Sequence, residues 1–69
     1  MSIKLYIFSK AKQDYFYINQ KVIDNRDGKE GIIYKLNNSM SSQETIIHVK
    51  FTGLRKAYFS NHHIHLDKV

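Results

Sequence analysis

Residues 45–59 read TIIHVKFTGLRKAYF, and the fold is decided by how they are parsed. Ile47, Val49 and Phe51 alternate with His48 and Lys50, the period of a β-strand with one buried and one solvated face. Thr52-Gly53 supplies a turn, and LRKAYF (54–59) resumes as a second strand. The stretch spells a hairpin, and its alternation leaves no room for a helix.

The same period recurs on either side. IKLYIF (3–8) puts Ile3, Leu5 and Ile7 on one face, and YFYI (15–18) reads as another short strand. In GIIYKL (31–36), Ile32, Tyr34 and Leu36 share a face. HIHLDKV (63–69) alternates again, with Ile64 and Leu66 on one side and His63 and His65 on the other. Between these segments, SKAKQD (9–14) is polar and suits a turn. NQKVIDNRDGKEG (19–31) is punctuation around Val22 and Ile23, in which Asn19 tolerates positive φ and Asp27-Gly28 marks a tight turn. NNSMSSQE (37–44) reads as a polar loop. Five to six short strands without crossover helices predict an all-β, antiparallel domain. At this length a small closed barrel is the expected form, since closure removes exposed edges. The expected core is Ile32, Leu36, Ile47, Val49, Phe51, Phe59, Ile64 and Leu66, with Tyr34 also turned inward.

Sixty-nine residues suffice for a single domain over 1–69, with a thin core and no internal repeat. Without cysteine there is no disulfide, no thiolate zinc site and no thiol catalysis, a composition suited to a reducing, cytoplasmic setting. No segment reaches the ~20 apolar residues of a membrane-spanning helix, and no apolar leader opens the chain. The formal charge of +5 is unevenly placed. Lys4, Lys10 and Lys12 stand in an acid-free N-terminal segment. Lys50, Arg55, Lys56 and all four histidines lie between Thr45 and Leu66, again without an acid. Asp24, Asp27 and Glu30 cluster in one turn. Such asymmetry favours an anionic partner.

Residues 19–69 resemble a KOW-type, SH3-like β-barrel. The resemblance rests on Gly28-Lys29-Glu30-Gly31 ahead of Ile32-Ile33, then on the basic, glycine-bearing hairpin HVKFTGLRKAYF and a closing IHLDKV. It implies an SH3-like barrel, from which this chain departs by an extra N-terminal strand (3–8) and by VIDNRD in place of the usual valine-glycine approach. It further implies the binding of RNA or protein rather than catalysis. Independently of the family, a corner at Gly28 and Gly31 needs positive φ or close backbone approach, both of which glycine allows without strain.

The chemistry available is that of binding. His63 and His65 at i, i+2, with His48 nearby, are the residues to weigh as metal ligands, but no cysteine accompanies them and Asp67 is the one neighbouring carboxylate. The reading adopted is edge histidines without a metal. DNRDGKE fails the calcium-loop pattern, because Arg26, Lys29 and Lys35 fall where Asp or Asn, Gly and Glu are required. No nucleophile elbow or paired-carboxylate spacing is present, so no catalytic residue and no cofactor are assigned. The expected site is a nucleic-acid surface of Arg26, Lys29, Lys50, Arg55, Lys56 and Tyr58. Cations there would neutralise phosphates and a ring would stack on unpaired bases. The second reading is an adaptor or inhibitor of the kind mobile elements encode, docking on a host protein through an aromatic surface or a strand edge. The lysine, asparagine and isoleucine usage would suit a phage or plasmid of an AT-rich bacterium.

Overall fold

The computed structural model describes residues 6–39 and 44–69. They form seven strands: β1 (Tyr6–Ser9), β2 (Asp14–Tyr17), β3 (Lys21–Asp24), β4 (Lys29–Ser39), β5 (Glu44–Phe51), β6 (Leu54–Tyr58) and β7 (Leu66–Lys68). A six-residue 3-10 turn, Ser60–His65, precedes β7 and is the one helical segment among the described residues. Every strand pairing is antiparallel. No helix among the described residues is long and apolar enough to cross a membrane. The all-β, antiparallel expectation therefore holds. Residues 3–5 of the first expected strand lie outside the described residues.

The barrel does not close. β1 and β2 make a separate two-stranded sheet, while the other strands lie in the order β6-β5-β4-β3-β7. β6 and β7 are thus opposite edges of an open sheet. Closure fails because the chain leaves β6 into the 3-10 turn instead of running on as a strand. His63 on that turn bonds to Ser9 of β1 and to the Tyr58 carbonyl, which fills the gap with side chains rather than a ladder. The sheet is nevertheless strongly coiled. The Tyr58 hydroxyl on β6 donates to Asp24 Oδ2 on β3 at 2.7 Å, although three interstrand steps of ~4.8 Å separate these strands in a flat sheet.

Ile7 and Phe16, paired across the β1–β2 hairpin, turn inward onto the sheet and share its core with Val22, Ile33, Ile47, Val49, Phe51, Tyr58 and Leu66. Ion pairs between Lys12 and Asp67 (2.6 Å) and between Lys68 and Asp14 (2.9 Å) fasten the hairpin to β7.

Of the expected core, Ile47, Val49, Phe51 and Leu66 are buried and Leu36 packs against them, but Ile32, Phe59 and Ile64 are exposed. Each reversal has a local cause. Gly31 faces inward, where a Cβ would lie 2.6 Å from Val49 Cγ1 and 2.9 Å from Phe51 Cδ1. Alternation from Gly31 turns Ile33 inward and Ile32 outward. The same alternation turns Tyr34 outward, and a bulge between Ile33 and Lys35 then restores Leu36 to the inner side. On β6, Tyr58 stands opposite Ile47 and enters the core with it, leaving Phe59 outside.

At the C-terminus the 3-10 turn replaces the expected strand. Its threefold period puts His62 and His65 side by side with rings 5.7 Å apart, and turns His63 and Leu66 inward while Ile64 stays exposed. Residues 21–24 form a strand where the sequence suggests only punctuation, and residues 37–39 extend β4 into the expected loop. The turn chemistry behaves as the sequence suggests: Asn19, Gly28 and Gly53 all adopt positive φ.

Candidate nucleic-acid interface

The outward face of β4–β5–β6 gathers cations and rings. Lys50 and Arg55 are direct cross-strand partners, and Lys50 also faces Ile32 on β4. Tyr34, outward in the phase set by Gly31, lies under the Arg55 guanidinium, with the guanidinium carbon 5.5 Å from the ring centroid. Its edge meets the His48 ring at 5.9 Å. A guanidinium held over a ring loses part of its rotamer freedom before any ligand arrives, while its outer N–H groups remain free to fork onto a phosphate. Burial, aided by the Lys35 charge, holds His48 below the ordinary imidazole range, so its ring is neutral at pH 7. Asn37 Nδ2 lies 3.2 Å from His48 Nε2 and fixes its orientation.

Lys50 stands between two shallow clefts of about 450 and 430 Å3. The larger is floored by Gly31, Ile32 and Phe51, the smaller flanked by Gly53 and Arg55. Each has the size to accept a planar ring beside a charged rim. No ion pair neutralises Lys35, Lys50, Arg55 or Lys56 among the described residues, whereas Lys21 leans toward Glu30 at 3.8 Å.

The six residues expected from sequence are not one constellation. Lys50 and Arg55 come together. Lys56, the next residue on the strand, falls on the opposite side of β6, across from Val49, with its ammonium 5.8 Å from the Phe51 ring. There, with Arg26 and His62, it rims a separate cleft of about 260 Å3 over Tyr58. Lys29 opens β4 opposite Asp24 at the β3–β4 turn and lines none of these clefts. Tyr58 is only 2% exposed and cannot stack on a base; the register that places it opposite Ile47 carries it into the core. Tyr34 and His48 are the rings that sequence reasoning misses, and Ile32 the apolar floor. The inward seat of Gly31, which sets the phase that exposes Tyr34, leaves no signature in the alternation of GIIYKL.

Arg26 is committed elsewhere. Its backbone N–H and its guanidinium Nε and Nη2 all donate to the Asp24 carboxylate, at 2.9, 3.1 and 2.9 Å. With the Tyr58 hydroxyl this makes a buried carboxylate with four donors. The guanidinium first, then the Tyr58 hydroxyl and the Arg26 amide, hold the Asp24 carboxyl well below the usual carboxylate range against the opposing cost of burial. Burial and the adjacent carboxylate push the Tyr58 phenol above its usual range, so it remains a donor.

The histidines of the C-terminal segment divide by role. His63, 1% exposed, has both ring nitrogens engaged: Nε2 donates to the Tyr58 carbonyl at 3.0 Å, which requires Nδ1 to accept from Ser9 Oγ at 2.8 Å. That neutral tautomer leaves no lone pair for a metal. No cluster of three or more His, Asp or Glu side chains with metal-binding geometry is present among the described residues. Burial lowers the His63 pKa below its unfolded value of about 6.5. The unfolded chain therefore takes up this proton first on acidification. The stability contributed by His63 is fully present above about pH 6.5 and declines as pH falls below it. Denaturant midpoints measured between pH 7.5 and 5 should show this decline. In His63→Gln the slope should be reduced rather than abolished, because His48 titrates in the same direction.

Comparison with protein-family models, with curated proteins and with solved structures gives no match to this chain.

Proposed function

We propose that this chain is a non-enzymatic binding module that contacts nucleic acid through the outer face of β4–β5–β6. The observation that carries the reading is the Lys50–Arg55 cross-strand pair, unneutralised by any acid among the described residues and seated beside Tyr34 and His48. Two cations on neighbouring strands can follow one phosphate backbone. Arg55 binds an anion bidentately, Lys50 acts as a mobile point charge, and the adjacent rings meet exposed base or sugar surface. Lys29 and Lys56, exposed on other parts of the surface, add to the attractive field without sharing the contact.

The architecture proposed alongside is SH3-like and related to the KOW type, in an open form. It is supported by a tightly coiled meander whose final strand returns beside its first, and by the Gly28–Gly31 corner. The cysteine-free composition supports a cytoplasmic place of action. The second reading, an adaptor of phage or plasmid type that binds a host protein, draws on the β6 edge, whose outer side has no ladder partner among the described residues.

Titration of isotope-labelled protein with short oligonucleotides at low salt tests the site. Amide shifts are expected at Tyr34, His48, Lys50 and Arg55. Shifts confined to residues outside β4–β5–β6, or none at all, would contradict the proposal, and none at all would favour the adaptor.

A further inference from the structure

The hairpin that covers the core presents a second surface to solvent. Alternation along β1 and β2 turns Ile7 and Phe16 inward, so the other face is left with Tyr6, Phe8, Tyr15 and Tyr17. They are cross-strand partners, Tyr6 with Tyr17 and Phe8 with Tyr15. The four rings are between 43% and 50% exposed. They touch in a continuous row, with centroids 5.0 Å apart for Phe8–Tyr15, 5.7 Å for Tyr6–Tyr15 and 5.9 Å for Tyr6–Tyr17. A contiguous aromatic patch of this kind on a small domain marks an interaction site.

Charge selects the occupant. Among the described residues of the hairpin, the one acid is Asp14, and Lys68 neutralises it at 2.9 Å. The nearest acid on β7, Asp67, is likewise taken by Lys12. Lys10 at the hairpin turn has no ion-pair partner among the described residues. The surroundings of the rings are neutral to cationic. They repel a second copy of a chain that itself carries +5 and suit a polyanion with exposed π-faces.

We infer that the β1–β2 hairpin is a stacking platform for unpaired bases, so that the nucleic acid bound by this protein is single-stranded. The inference rests on the nucleic-acid reading above and narrows it. In a duplex the bases are stacked on one another and unavailable to these rings. In a single strand each base offers a face to an aromatic side chain, whatever its identity.

The test compares a single-stranded oligothymidine with a duplex of the same length. Wild type should bind the single strand more tightly. Phe8→Ala and Tyr15→Ala should each weaken single-strand binding about five- to a hundredfold while leaving duplex binding unchanged. Tyr15→Phe should retain affinity, and Tyr15→Leu, which keeps apolar bulk without a ring, should not. A thermal melt confirms that each variant is folded. A measurement that needs no hairpin variant uses intrinsic fluorescence, since the chain has tyrosine but no tryptophan. In a Tyr34→Phe background the exposed reporters are Tyr6, Tyr15 and Tyr17, and the oligonucleotide should quench them. Equal affinity for single strand and duplex, with no quenching and no effect of the ring variants, overturns this inference while leaving the Lys50–Arg55 reading intact. No binding of either oligonucleotide overturns both.

Discussion

Asp24→Ala is expected to destabilise the domain by about 2–5 kcal/mol, chiefly by leaving a buried hydroxyl and a backbone amide without an acceptor. That is comparable to the whole stability of a chain this short, at roughly 0.05–0.15 kcal/mol per residue. The substitution removes the acceptor for the Tyr58 hydroxyl, the Arg26 amide and the Arg26 guanidinium together. The Arg26 side chain is half exposed and partly screened by water, so the larger share of the loss falls on the buried hydroxyl and the amide. The Tyr58–Asp24 bond also joins strands that are not neighbours, so the substitution removes a tie across the coiled sheet.

Tyr58→Phe, which deletes one of these bonds and keeps the ring in the core, should cost only about 1–2 kcal/mol. The Asp24 carboxyl is depressed in the folded state. Its contribution is therefore present above the unfolded value of about 3.9 and lost as pH falls below that value toward the folded one. Wild type should lose stability below about pH 4, and Asp24→Asn should lose less there because it begins without the charge. Denaturant unfolding of the three variants at pH 7 and in an acid series measures these effects. An Asp24→Ala protein with a wild-type midpoint would contradict the role given to the buried carboxylate.

The sequence discloses those parts of the fold that depend on one residue and its near neighbours. Ile47, Val49 and Phe51 are buried because nothing interrupts their alternation, and Asn19, Gly28 and Gly53 turn the chain where their backbone freedom allows. What it conceals depends on partners distant in the chain. Ile33 rather than Ile32 is buried because Gly31 must pass close to Val49 and Phe51, a contact made across a sheet. Asp24 reads as a turn residue because aspartate is rarely buried, and only Arg26 and Tyr58 together make its burial tolerable. His63 reads as an edge residue because its burial depends on Ser9, which the separate β1–β2 sheet brings from 54 residues away, and on the Tyr58 carbonyl at the end of β6.

The candidate site follows the same division. Lys50 and Arg55 are legible because the Thr52-Gly53 turn fixes their register. Lys56 joins them only by proximity in sequence, since successive strand residues point to opposite faces. Tyr34 reads as a core residue because its phase is set by the inward seat of Gly31 against Val49 and Phe51, a contact made across the sheet.

The dependence of affinity on salt, in wild type and in Lys50→Glu/Arg55→Glu, tests the central claim most directly. Both side chains are exposed, and neither takes part in an ion pair among the described residues, so reversal should leave the melting temperature nearly unchanged. Removing two charge-assisted phosphate bonds should weaken binding about a hundredfold at low salt. Lys35 and Lys10, without an ion pair among the described residues, are the further contacts. Three or four neutralised phosphates then give a log–log slope of about −2 to −3 on a single strand, and each phosphate that goes unpaired should flatten it by about 0.7. Fluorescence anisotropy with a labelled oligonucleotide across a salt series supplies both quantities. The expected result is a steep wild-type slope that falls by about half in the double variant. Absence of binding at low salt, or a slope indifferent to the reversal, would contradict a nucleic-acid site at Lys50 and Arg55.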